Sequence, residues 1–381
     1  MSVCKGTIFQ VIRQIIGQNP KSMRFTLILY NIQGFMPPFF YLRDMIDYRS
    51  DTVTRPSKEM LERMHQAPVG DDVFMEDPSI NTLEKFISEM FGMEAGLFCP
   101  SGTMTNQVAI KTHTQAGDEV ICEELSHVYQ YEGGGIAFNA GCSVKLLQGN
   151  RGRLTAAQVV AAINPEDVHK PISRLISLEN TTNRGGGACY DFKEFIQIKE
   201  VATKHNLQLH LDGARLFNAI VHKKEDPLDY GKVFDSISIC LSKGLGAPVG
   251  SVLIGSAAFI KKARRWRKVL GGGMRQAGSL AAACMYALEN NIDRLTIDHA
   301  NALLIRDALM QTSFVSSILE VETNIVIANI KGPYTAQQIA HQLKEKGVFA
   351  MAMSPTQIRF VTHLDITSDN IQDTIQIIKQ L

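Results

Sequence analysis

Two short apolar runs end in residues suited to covalent chemistry. Leu-His-Leu-Asp-Gly-Ala-Arg occupies 209–215, and Ser-Ile-Ser-Ile-Cys-Leu-Ser-Lys-Gly-Leu-Gly occupies 236–246. Apolar runs of this length, bounded by Gly and polar residues, suit buried strands of a parallel sheet. The first delivers Asp212 and Arg215 at its carboxyl end, and the second delivers Ser242 and Lys243. Open α/β sheets bind ligands beyond the carboxyl ends of their strands. A carboxylate, a guanidinium and a lysine gathered there suit an electrophilic cofactor.

Pyridoxal 5'-phosphate (PLP) matches these groups. Its aldehyde needs a lysine amine for a Schiff base, and its pyridine nitrogen needs an acidic partner. Lys243 and Asp212 supply them, and Gly244 and Gly246 leave room for the ring. A Lys before Gly usually ends a helix, and Asp-Gly usually makes a turn, so neither motif alone carries the reading. A third element adds to them. Gly-Leu-Phe-Cys-Pro at 96–100 reads as a strand, followed by Ser101, Gly102 and Thr103 and then a helix. A small-residue turn at a helix start binds anions, because free N–H groups and the helix dipole point at it. These three residues would hold the phosphate.

The chain resembles the threonine aldolases, fold-type I PLP enzymes. The resemblance rests on Asp-Tyr-Arg-Ser-Asp-Thr-Val-Thr-Arg-Pro at 47–56, Val-Gly-Asp-Asp-Val at 69–73 and Ser-Gly-Thr at 101–103. It continues with Ser-His at 126–127, Ser-Leu-Glu-Asn at 177–180 and the two runs above. Gly-Gly-Gly-Met-Arg-Gln at 271–276 and Arg-Phe-Val-Thr-His-Leu-Asp at 359–365 complete it. The stretches run in family order from about Met45 to the C-terminus.

The resemblance implies an aspartate aminotransferase-like α/β fold. A large domain with a mostly parallel sheet spans 45–290, and a smaller α+β domain spans 291–381. It implies that His127 stacks on the cofactor ring, and that Ser50, Arg215 and Arg359 take the substrate carboxylate. Lys268 and Arg275 would reach the phosphate of a neighbouring subunit in a homotetramer. The implied reaction is retro-aldol cleavage of L-threonine or L-allo-threonine to glycine and acetaldehyde. Phenylserine cleavage, serine hydroxymethyl transfer and an inactive PLP-binding homologue are the alternatives. Two positions depart from the family. Thr182 stands where a His is usual near the substrate β-hydroxyl, which leaves a bound water, or the cofactor phosphate through water, to take that proton. Phe74 stands where many relatives have Tyr.

Composition bounds the rest. The chain has 381 residues, 45% hydrophobic and 20% charged, enough for a large core. A net charge of +1 favours neither nucleic acid nor an anionic membrane. Seven scattered cysteines without a Cys-x-x-Cys pair suggest neither zinc nor a disulfide framework, and a reducing cytoplasm is the simplest setting. Residues 1–44 are basic, with apolar runs too short and Pro-broken to span a bilayer, and read as a dispensable extension.

The elements that must position the site follow from periodicity and caps. Helices are predicted over 57–66, 80–91, 192–206, 257–268, 277–288 and 292–312, and strands over 119–122 and 175–178. Residues 252–255 read as a strand turning back antiparallel. Strands at 325–330 and 358–362, and helices at 335–346 and 368–381, complete the C-terminal part. The basic run within 261–268 reads as a solvated face or a subunit contact.

Overall fold

The structure is a computed structural model and describes residues 45–381. The extension at 1–44 lies outside the described residues. Seven strands form the main sheet: β2 (Ala95–Cys99), β3 (Glu119–Glu123), β4 (Ser143–Leu147), β5 (Ser173–Glu179), β6 (Gln208–Gly213), β7 (Ser236–Cys240) and β8 (Ser251–Gly255). Their order is β2-β8-β7-β6-β5-β3-β4. β8 runs antiparallel to both neighbours, as its sequence predicts, and all other pairs are parallel.

Side chains alternate across this sheet and explain the near-continuous apolar runs. Leu97, Cys99 and Leu253 face Val108, Ala109, Phe259 and Ile260, from the helices Gly102–His113 and Ala257–Val269. Phe98, Val252, Ile254, Ile237 and Ile239 face the opposite layer with Leu83, Ile87 and Ala281. Both faces are covered, so β3, β7 and β8 are buried throughout. Gly250 shows how tightly the layers meet. Its φ of 129° suits glycine, and a Cβ there would lie 2.7 Å from both Phe98 and Cys284. Gly250→Ala is expected to cost about 3 kcal/mol, read as a lower urea midpoint.

The predicted helix starts are set by side-chain caps. Ser57 accepts from Met60 N, Asp191 from Lys193 N, and Thr335 and Thr367 each make a reciprocal capping box. Asp77 moves the second helix start forward to Pro78. Edge strand β4 escapes the sequence reading because its residues are half-exposed and carry no clean alternation.

A second, antiparallel sheet has the order β12-β13-β10-β9: β9 (Val315–Ile318), β10 (Ile325–Ile330), β12 (Met351–Ser354) and β13 (Gln357–Val361). Its core joins Val326, Ala328 and Phe360 to Ile305, Leu309 and Ile371 from flanking helices. Residues 46–48, at the start of the expected large domain, pack here. β1 (Ile46–Asp47) pairs with β11 (Val348–Phe349), and Tyr48 is buried in the C-terminal core with its hydroxyl 2.9 Å from Thr374. The entering chain thereby sets Arg49, Ser50 and Asp51 between the two sheets.

Candidate active site

The carboxyl ends of β3, β5, β6 and β7 are consecutive in the sheet and place the predicted residues together. Asp212 sits near the end of β6, opposite Glu179 of β5. Its Oδ2 accepts from Asn106 Nδ2 at 2.9 Å, and its Oδ1 from Ala214 N at 3.1 Å. Lys243 follows β7, and its ammonium is close enough to act on Asp51, His127 and Cys240. His127 opens a short helix after β3. Its backbone N–H donates to Glu179 Oε2 at 2.7 Å, and its Nδ1 lies 3.0 Å from Glu132 Oε1. Burial alone would push the His127 imidazole down, but the Glu132 hydrogen bond and the Asp212 charge outweigh it and hold it above its ordinary value.

Glu179 was missed as a site residue, although it lies inside a matching stretch. It is buried, and burial followed by the Asp212 charge raises its pKa well above the carboxylate range. Its Oε1 accepts from Asn183 N at 2.8 Å, so one carboxylate ties His127 to Asn183. Glu179→Gln turns one of these contacts into N–H facing N–H. It is expected to lower kcat/KM about tenfold or more, measured in a steady-state assay.

Arg215 has a partner that its sequence neighbourhood does not announce. Its Nε and one terminal nitrogen both bind Asp51, each at 2.7 Å, in a buried bidentate pair. Two of its three nitrogens are therefore unavailable to a substrate carboxylate. Burial would push Asp51 up, but the charge and hydrogen bonds of Arg215 hold it down at about 2. The sign follows directly: this stabilisation is present above the ordinary value of 3.8 and is lost as pH falls toward 2. Asp51→Asn leaves a buried guanidinium unpaired and is expected to cost about 3–5 kcal/mol in urea unfolding at pH 7. Ser50 caps the turn that carries Asp51, accepting from Thr52 N.

Arg359, on β13, has the opposite character. One terminal nitrogen donates to Asn183 Oδ1 at 2.9 Å and the other to Arg49 O at 3.0 Å, while its Nε is buried without a partner. No carboxylate pairs with it among the described residues. Burial, then the Arg215 charge, lowers its pKa to about 10.

The phosphate elements also converge. Ser101 Oγ accepts from Met104 N as the helix cap and keeps its own hydrogen, and the amides of Gly102 and Thr103 lie at the helix start. A Cβ on Gly102 would lie 3.6 Å from Ser251 Oγ, a buried hydroxyl without a partner. Ser242 Oγ is 3.5 Å from Cys240 Sγ nearby. Ser251 was not singled out, since it lies at the start of an unremarkable antiparallel strand. The orphaned hydroxyl, the open amides and the unpaired Arg359 fit a phosphorylated cofactor bearing an amino acid.

Lys268 and Arg275 lie beside residues 71–73: Arg275 pairs with Asp71 at 3.0 Å, and Lys268 packs near Gly273 and Val73. No described hydrogen bond joins either to the residues around Lys243. The basic run is only partly a solvated face, because Arg264 pairs with Glu84 and Arg267 is buried against Asp72 and Phe98 O. Thr182 is buried, donates to Arg151 O at 2.8 Å and packs against Gly152, so its hydroxyl is already used. Phe74 is 68% exposed on a surface turn. His127, Glu132 and Asp212 bring donor atoms within 4.8 Å of one another, as a metal site would. Asn106 Nδ2 already bridges the two carboxylates.

Residues 47–333 match the family model for β-eliminating lyases. The low specificity L-threonine aldolase of Escherichia coli O157:H7 is 42% identical over 330 residues, covering 86% of this chain and 97% of the relative. The chain belongs to the threonine aldolase family. A low-specificity L-threonine aldolase of Arabidopsis thaliana is 40% identical over 88% of this chain and 96% of its own. Among solved structures, a Leishmania major threonine aldolase superposes with a TM-score of 0.76 at 20% identity, covering 88% of this chain and 99% of that one. A Sphingomonas wittichii serine palmitoyltransferase gives 0.69 at 14%, covering 88% and 86%. These two likenesses concern the fold, which is fold-type I.

Proposed function

We propose that this threonine aldolase family member cleaves L-threonine and L-allo-threonine to glycine and acetaldehyde, with PLP held at Lys243. Arg359 carries the reading: a buried guanidinium without a carboxylate partner, on the C-terminal sheet and electrostatically coupled to Arg215 and Asp51. It would take the substrate carboxylate, with Ser50 beside it. That contact fixes which substrate bond stands perpendicular to the cofactor plane, and a fixed carboxylate selects Cα–Cβ. Bound PLP supplies the electron sink for the pair released from that bond. Asp212 would hold the pyridine nitrogen, His127 would cover the ring face, and Lys243 would hold and later reclaim the aldehyde. Ser101, Gly102, Thr103 and Ser242 would hold the phosphate. Arg215, committed to Asp51, keeps one terminal nitrogen for the cofactor or substrate.

The proton of the substrate β-hydroxyl does not go to Thr182, whose oxygen is packed against the Arg151 carbonyl. A water takes it. Lys268 and Arg275 would complete a neighbouring subunit's phosphate site in a homotetramer. Lys268 ends the helix Ala257–Val269 and Arg275 follows in the next loop, paired with Asp71 and with no described hydrogen bond to the residues around Lys243, which is compatible with that reading. A large PLP-binding domain and a smaller C-terminal domain from about 291, a cytoplasmic setting and a role in glycine formation belong to the same proposal. The six described cysteines, all free and buried, are compatible with a reducing compartment. Among the described residues no helix is long and apolar enough to cross a membrane.

A coupled acetaldehyde assay run separately on the two substrates tests the proposal. Release from both is expected. No aldehyde from either, in protein loaded with PLP, would sink it.

A further inference from the structure

A file of buried polar groups runs through the protein behind Asp212. Asn106 Nδ2 lies 2.9 Å from both Asp212 Oδ2 and Glu132 Oε1. Ionised carboxylate oxygens only accept, so this atom is the amide NH2, and each of its hydrogens serves one carboxylate. The Asn106 oxygen then faces His210 Nε2 at 3.1 Å, which must carry a hydrogen. His210 Nδ1 is left as an acceptor for the Ser236 hydroxyl at 2.8 Å. Ser236 Oγ in turn accepts from His113 Nε2 at 2.7 Å. Every hydrogen in the file points toward Asp212 and Glu132.

The surroundings fix this order. His210 and Ser236 are register partners on β6 and β7, and Asn106 lies on the helix that covers them. Asn106, His210 and Ser236 are fully or almost fully buried. Burial pushes both imidazoles down to about 3, so they act as neutral dipoles. His113 ends the file at a groove it shares with Arg174, Phe234 and Lys262, stacked 4.3 Å from Phe259. Glu132 receives a further donor, Gln107 Nε2, at 2.6 Å.

We propose that Asn106 is the positioning residue for cofactor binding, and that His210, Ser236 and His113 hold its amide in the donating orientation. One NH2 sets two groups at once: Asp212, for the pyridine nitrogen, and Glu132, which orients His127 over the ring. This rests on the PLP reading above. Without the Ser236 hydroxyl, His210 can place its hydrogen on Nδ1 and turn a lone pair toward the Asn106 oxygen. The amide then rotates and sets its oxygen against the carboxylates.

Titration of the apoprotein with PLP, followed by visible absorption, tests the file. Asn106→Ala is expected to weaken cofactor binding about 10–100-fold, as for loss of hydrogen bonds to charged groups, and Ser236→Ala about 2–10-fold. Ser236→Thr, which keeps the hydroxyl, restores wild-type affinity. The pH midpoint of the bound cofactor's visible band rises in both alanine variants, because the ring loses positive charge when Asp212 loses its donor. A purely structural role would lower thermal stability in Ser236→Ala without moving that midpoint, and would overturn the inference. So would wild-type affinity in Asn106→Ala. If Asn106→Ala does not fold, the Ser236 pair decides alone. Wild-type protein that takes up no PLP at all would instead overturn the cofactor assignment.

Discussion

Lys243→Ala protein is expected to release acetaldehyde from threonine at less than about one ten-thousandth of the wild-type rate. The reason is local. Lys243 is delivered by the end of β7 onto the same edge as Asp212 and His127, and acts electrostatically on Asp51, His127 and Cys240. Lys268, near Gly273, is placed for a neighbouring subunit's phosphate in the reading above and not for the aldehyde. Lys243→Arg should fail almost as completely, since a guanidinium stays protonated and is no nucleophile. The fold should survive both changes, because Lys243 is half-exposed and outside the apolar clusters. Cofactor should still bind through Asp212 and the helix start, but dialyse away. The coupled assay and the absorbance remaining after dialysis measure the two effects. Aldehyde release within a factor of ten of wild type would remove Lys243 from the reaction.

The residues legible in the sequence were those whose chemistry is announced by their own neighbourhood. Lys243 and Asp212 follow strand-like runs, and Ser101 opens a helix; a strand end and a cap are local properties. What the sequence hid were the partners. Asp51 binds Arg215 across 164 positions, Asn106 meets Asp212 across 106, and Arg359 finds Asn183 across 176. Nothing in the spacing of these residues predicts the pairs, because the sheet order brings them together only after folding. Asp51 as the partner of Arg215 was therefore not legible, although that pairing leaves only one terminal nitrogen of the guanidinium for a ligand. Glu179 and Glu132 were passed over because a Glu at a strand end or in a loop is ordinarily a solvated charge, and only burial reveals otherwise. The antiparallel β8 was legible from its place after the Lys243 turn, whereas edge strand β4 was not.

Arg359→Leu should separate stability from activity. The wild-type guanidinium is buried, its Nε has no partner, and its other contacts are to neutral oxygens and a thioether. Burial and the nearby Arg215 charge both disfavour its cationic form. Removing an uncompensated buried charge relieves a desolvation cost, and an apolar side chain of similar bulk can be neutral or stabilising. Urea unfolding of the ligand-free variant is therefore expected at the wild-type midpoint or above it. Activity should move the other way. A bidentate carboxylate contact positions the substrate, so kcat/KM for threonine should fall by about a thousandfold, with PLP affinity unchanged. Arg359→Lys should recover little, because an ammonium on a different stem cannot reproduce the fork held by Asn183 and the Arg49 carbonyl. If Arg359 were only a strut between β13 and the 180–183 segment, Arg359→Leu would lose stability and activity together. A variant that is at least as stable as wild type, holds PLP as tightly and has lost threonine identifies the carboxylate site.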